Sequence, residues 1–215
     1  MTLTDPRSRL RDARDAVYRR AVLDAAEAVF ADEGYDAAKV QDVAARAGVS
    51  LATLYKLFPG KADLRRAVHE LRTSEILDRS TRQLPTDTDT LGLLLHGVEA
   101  YSRYQLEHPD YLRLTLREGG AWSSSRAMTL PEQLDAWNTG YALAVQTFRA
   151  GVDDGTFVDE PPELLARMMI ALQQVVLGEW VEQGMTEPHD AVLRRVRHAM
   201  IRTFATDRAR ARWQD

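Results

Sequence analysis

The 215 residues, 45% apolar and 28% charged, suffice for one large domain or for a small domain joined to a larger one. Cysteine is absent, which excludes disulfides, thiol chemistry and cysteine-ligated metal. No stretch approaches the roughly eighteen apolar residues of a membrane span, and residues 1–18 lack a signal peptide's apolar run and cleavage site, so a cytoplasmic chain with no membrane partner is expected.

The net charge of −4 is unevenly divided. Residues 1–74 carry 13 Lys/Arg against 11 Asp/Glu, and the rest carry 15 against 21, so positive charge is concentrated at the N-terminal end. Residues 1–15 alternate in charge and read as an N-terminal arm. Arg7, Arg9, Arg11 and Arg14 suit a phosphate backbone or a minor groove, but Asp5, Asp12 and Asp15 among them favour a solvated leader. A helix is expected from about Ala16 to Glu33, with Val22, Ala25, Ala26, Val29 and Phe30 inward, Gly34 closing it and Tyr35 packing back.

The most informative stretch is Val40 to Lys61, VQDVAARAGVSLATLYKLFPGK. Val40, Val43, Ala44 and Ala47 recur at helical spacing, Gly48 interrupts, Ser50 stands at the next N-cap, and Leu51, Leu54 and Phe58 make a second stripe before Pro59-Gly60. Two short helices joined by a glycine turn outline a helix-turn-helix. With Leu54 and Phe58 inward, the second helix has hydroxyls at its N-terminus and a lysine one turn later, a combination that suits phosphate oxygens and a major groove. A capped helical hairpin in any all-helical protein shows the same outline.

The stretch from about Arg20 to Ala67 resembles the N-terminal domain of the TetR family of bacterial transcriptional regulators. The resemblance rests on Phe30, Gly34-Tyr35, Val43-Ala44, Ala47-Gly48-Val49-Ser50, Thr53-Leu54-Tyr55, Phe58-Pro59 and Lys61, without a gap. It implies an all-α fold: a three-helix helix-turn-helix domain over 16–74, then a helical effector-binding and dimerisation domain over 75–215. It also implies that Lys39, Gln41, Ser50, Leu51, Ala52, Thr53, Tyr55, Lys56 and Lys61 form or flank the surface facing double-stranded DNA. Thr53, Tyr55 and Lys61 resemble phosphate-contacting positions; the Ala52 methyl suits a thymine methyl, and Lys56 suits guanine O6/N7 or phosphate. Two positions depart from the family pattern. Lys39 replaces the usual capping Thr or Ser, and Leu57 replaces a polar aromatic or histidine, which leaves the base preference open.

A fourth helix is expected from Lys61 towards Arg79, with Leu64, Val68, Leu71 and Leu77 inward, followed by a loop over Leu84–Thr90. Further helices are expected near Leu91–Glu107, Pro109–Glu118, Leu130–Val152, Pro162–Gln183 and Pro188–Arg212, with Gly119–Thr129 as a loop. Leu164, Leu165, Met168, Met169, Leu172, Val175, Val176 and Trp180 exceed one narrow stripe, so their helix is expected to serve both an interior and a partner. By the resemblance the last two long helices pair with their two-fold copies, making Leu172, Val176, Trp180, Val192, Val196 and Met200 the expected homodimer interface. Tyr101, Tyr104, Trp122, Trp137, Tyr141, Phe148, Met169 and Gln173 are the candidate effector pocket, though aromatics at helical spacing also fill ordinary cores.

Enzymatic motifs are missing. The chain has no P-loop, GxGxxG or GxSxG; His96, Glu99 and His108 do not have HExxH spacing; and no cofactor, metal or catalytic residue is expected. The resulting expectation is a sequence-specific repressor released from a palindromic operator by an unknown small lipophilic or aromatic effector. An activator or ligand-independent regulator is one alternative; a helical lipophile-binding protein with a non-functional reader is the other.

Overall fold

The computed structural model describes residues 6–81, 85, 87–118 and 131–213. These form ten helices: α1 Pro6–Glu33, α2 Val40–Arg46, α3 Leu51–Leu57, α4 Lys61–Thr81, α5 Thr90–Glu107, α6 Pro109–Arg117, α7 Pro131–Asp153, α8 Pro162–Glu182, α9 His189–Phe204 and α10 Asp207–Arg210. The only extended pairing among the described residues is an isolated bridge between Phe157 and Ala205, so the fold is all-α. Contacts divide the chain into two compact units, Met1–Leu71 and Arg72–Asp215, with the division falling inside α4.

The first unit closes on a small apolar core. Val22, Ala26, Val29 and Phe30 of α1 are buried with Val43 and Ala44 of α2, Leu54 of α3, Phe58, and Leu64 and Val68 of α4. Tyr35 packs edge-on against Phe30 with centroids 5.7 Å apart. One expectation is corrected here. The chain does not wait until Ala16 to become helical, because α1 already begins at Pro6. Proline is well placed there, since a first-turn residue has no intrahelical N–H bond to lose.

The second unit is centred on Phe148, whose ring lies 5.0 Å from Phe157 and 5.1 Å from Phe204, all three buried. Leu91, Leu95 and Val98 of α5, Leu165 and Ala166 of α8, and Val196 and Met200 of α9 complete this core. A smaller cluster joins Leu106 and Leu112 to Leu177, Trp180, Val192 and Leu193. Most expected helix ends agree within a residue or two, but the last helix does not run unbroken to Arg212. Ala205 is extended after Phe204, Val158 donates to the Phe204 carbonyl at 2.9 Å, and Thr206 donates its N–H to the Thr156 carbonyl at 2.9 Å. Thr206 then caps α10, accepting from Ala209 N–H. The backbone groups released by the break are satisfied across the bridge, so a helix can end with neither glycine nor proline to announce it.

Among the described residues one helix is long and apolar enough to pass for a membrane span, although no unbroken run of eighteen apolar residues occurs in it. By length and composition α8 qualifies, with a mean hydropathy of 1.3 over eighteen residues; 28% of that window is buried within the chain. Its apolar residues are split between two sides of the helix and interrupted by Arg167, Gln173, Gln174 and Glu179.

Gly151 sits where a side chain has no room. A Cβ there would meet Phe157 Cδ2 at 2.1 Å and Cε2 at 2.4 Å. Gly151→Ala is therefore expected to push the Phe157 ring out of its contact with Phe148 and lower stability by about 1–3 kcal/mol. Denaturant unfolding of the full-length chain checks this.

Candidate nucleic-acid interface and the surfaces of the second unit

The turn between α2 and α3 is built by hydrogen bonding. Gly48 is left-handed, with φ of +67°; its N–H donates to the Ala45 carbonyl at 3.2 Å, and Val49 N–H donates to the Ala44 carbonyl at 3.0 Å. This paired pattern satisfies the carbonyls at the end of α2 and reverses the chain within two residues. No neighbouring atom would crowd a Cβ at Gly48, so its backbone angle, not lack of space, selects glycine.

Ser50 then opens α3. Its Oγ accepts from Thr53 N–H at 3.1 Å and lies 2.8 Å from Thr53 Oγ1. With Leu54 and Phe58 buried beneath it, α3 holds Ala52 and Lys56 on the opposite side, one turn apart and exposed, while Tyr55 is 46% exposed. Leu51 and Thr53 are half-buried at the flanks. Lys39 is extended at the start of α2 and caps nothing with its side chain; Gln41, in the first turn, is exposed. Lys61 turns towards its own domain: Nζ donates to the Asp36 carbonyl at 3.0 Å and lies 4.7 Å from the Tyr35 ring centroid. An ammonium has three donors, so this bond leaves capacity for a phosphate.

Two residues absent from the expected site adjoin α3. The Arg19 guanidinium lies 4.4 Å over the Phe58 ring and donates to the Leu57 carbonyl at 3.5 Å, and Asp15 approaches Lys56 at 3.8 Å. No local motif marks contacts between residues 38 or more positions apart in sequence. Only the early start of α1, with Asp15 and Arg19 on successive turns, reveals them.

In the second unit the candidate pocket residues are dispersed. Trp137 and Tyr141 stack at 4.7 Å and 12°, both half-buried. Phe148 fills the core, and Met169 packs beside it. Tyr104 is buried and donates its hydroxyl to Glu75; burial, then that carboxylate, push its pKa up. Gln173 is buried and its Nε2 donates to the Val98 carbonyl at 3.2 Å and Ser102 Oγ at 3.1 Å. Gln105 Nε2 donates to the Tyr101 hydroxyl at 2.9 Å, and burial raises that phenol to about 12. Trp122 lies outside the described residues. Among the described residues no group of three or more His, Asp or Glu could hold a metal.

The expected dimer residues divide by exposure. Trp180, Val192, Val196 and Met200 are at most 2% exposed within one chain. Within one chain these four side chains are already covered by the interior. Leu172 and Val176 are half-buried; Leu164, Met168 and Val175 point out from α8, Val175 being 69% exposed. Beside them an open groove of about 460 Å³ is lined by Val176, Arg195, His198, Ala199, Ile201, Arg202 and Trp213.

Residues 22–68 match the family model of bacterial regulatory proteins of the tetR family. The HTH-type transcriptional activator FasR of Mycolicibacterium smegmatis is 38% identical over 90 residues, 42% of this chain and 41% of that protein. The chain thus spans about two fifths of the activator's length. The HTH-type transcriptional repressor SCO4008 of Streptomyces coelicolor is 28% identical over 151 residues, 70% of this chain and 73% of the repressor. Among solved structures, the fatty acid degradation regulator FadR from Bacillus halodurans shares the fold with a TM-score of 0.69 at 18% identity, over 93% of this chain and 97% of that one.

Ser50 supplies the side-chain cap at the N-terminus of α3. Ser50→Ala is expected to destabilise the first unit by about 1 kcal/mol. Hydrogen exchange of the α3 amides checks it, with protection falling there and holding in α5.

Proposed function

We propose that this chain, whose residues 22–68 match the family model of bacterial regulatory proteins of the tetR family, is a cytoplasmic, sequence-specific transcriptional repressor that binds a palindromic operator as a homodimer. It is a regulator and not an enzyme. One observation carries the reading: a seven-residue helix, capped by Ser50 and seated on Leu54 and Phe58, turns Ala52, Tyr55 and Lys56 to solvent inside the segment that matches the family. Ala52 and Lys56 face the base edges of a major groove, while Ser50, Thr53, Tyr55 and the N–H groups of the first turn meet phosphate. Gln41, Lys39 and Lys61 extend the backbone contacts. Repression is favoured over activation because the repressor relative aligns over 70% of the chain and the activator relative over 42%.

Dimerisation uses the outer side of α8, where Leu164, Met168 and Val175 are exposed, with the outer side of α9. An apolar row of this kind needs cover, and a two-fold copy supplies it. The second unit also takes a small lipophilic or aromatic effector that lowers operator affinity. The stacked, half-buried Trp137–Tyr141 pair offers it apolar surface.

Two variants test the reading. Val175→Glu, at an exposed site, is expected to leave the fold intact and convert the dimer to a monomer in analytical ultracentrifugation; an unchanged dimer would remove α8 from the interface. Lys56→Ala is expected to cost about 1–3 kcal/mol of affinity for a duplex selected from a random pool. Unaltered binding would remove α3 from the groove.

A further inference from the structure

Asp15 stands between two cations at the edge of α3. Its Oδ2 lies 3.8 Å from Lys56 Nζ and its Oδ1 3.9 Å from Arg14 Nε. The three side chains are 33%, 67% and 62% exposed in that order. The carboxylate is not a chance neighbour, because the Arg19 contacts with Phe58 and the Leu57 carbonyl, one turn along α1, fix the register of α1 against the end of α3. Both ion pairs are long and exposed, so neither contributes much stability. A negative charge is also costly on a surface built to meet a polyanion. Stability does not explain this residue, and simple attraction to DNA argues against it.

We propose that Asp15 is a specificity-determining residue, which makes Lys56 a poor ligand for phosphate while leaving it able to reach a base edge. This rests on α3 being the reader. A phosphate that approaches Lys56 also approaches Asp15, and the second interaction offsets the first. Guanine O6 and N7 are neutral acceptors, so the same carboxylate opposes them far less. Phosphates are present along every duplex, whereas the correct base edge is present only in the correct site. The acid therefore weakens binding to random DNA more than binding to the operator, and discrimination arises from what is penalised as well as from what is attracted.

The test is Asp15→Asn in the full-length chain, measured on a selected duplex and on a scrambled duplex of equal length across a salt series. Affinity for the scrambled duplex is expected to rise several-fold, with its log–log salt slope steeper by about 0.9, one added phosphate contact. Affinity for the selected duplex is expected to rise less, so the ratio between the two falls several-fold. In a Lys56→Ala background Asp15→Asn is expected to change neither duplex. A ratio that stays constant, or an increase that persists without Lys56, would overturn the proposal, since either would make Asp15 a general surface charge. A wild-type chain that prefers no duplex over the scrambled one would overturn the reader assignment together with it. The unfolding midpoint of Asp15→Asn is expected to match wild type; a large loss would assign Asp15 a structural role instead.

Discussion

A helix of seven residues has only two usable sides, and in α3 the inner one is occupied. Leu54 and Phe58 are buried on the side of α3 that packs on α1 and α2, so the opposite side, with Ala52 and Lys56, has to face outward. The placement depends on the backbone before it. The left-handed Gly48 ends α2 with its carbonyls satisfied, and Ser50 starts α3 with its first donors satisfied, which sets both the corner and the helix phase. A one-residue shift in that phase would rotate α3 by about 100° and exchange reader for core.

The same rule reorganises the second unit. Trp180, Val192, Val196 and Met200 are consumed by the interior, while Leu164, Met168 and Val175 stay exposed on the other side of α8. That helix is apolar enough to resemble a membrane span because it serves two apolar surfaces, and Gln173 sits among them with its amide bound to the Val98 carbonyl and Ser102. Buried polar groups without partners are costly, so the bonds of Gln173 explain how an amide is tolerated there. Gln105 is less complete: its Nε2 has a partner in Tyr101 and its Oε1 has none.

Much of this was legible in the sequence, for identifiable reasons. Gly48, Ser50 and the Leu54–Phe58 spacing act over a few residues, so their consequences follow from local stereochemistry. The start of α1 was obscured because its first turns carry charge instead of an apolar stripe, and charge alternation resembles a solvated leader. The break at Ala205 was hidden because its hydrogen bonds come from Thr156 and Val158, about fifty residues away. The expected dimer residues were hard to separate from the interior for a different reason: α8 and α9 are apolar on more than one side, and composition does not say which side the interior takes. Exposure decides it. Contacts such as Asp15 with Lys56 and Arg19 with Phe58 join distant positions and leave no local trace.

The charge distribution fits a surface that orients DNA without binding it indiscriminately. The first 74 residues have only a small excess of base over acid, and acids stand close to the exposed cations, as Asp15 does to Lys56. In the proposed reading, affinity then comes from matched base edges and from two copies acting on one duplex. The most direct measurement is selection of binding sites from a random duplex pool with the purified full-length chain. Two inverted half-sites at fixed spacing are the predicted result. A folded, dimeric chain that enriches no sequence would contradict it.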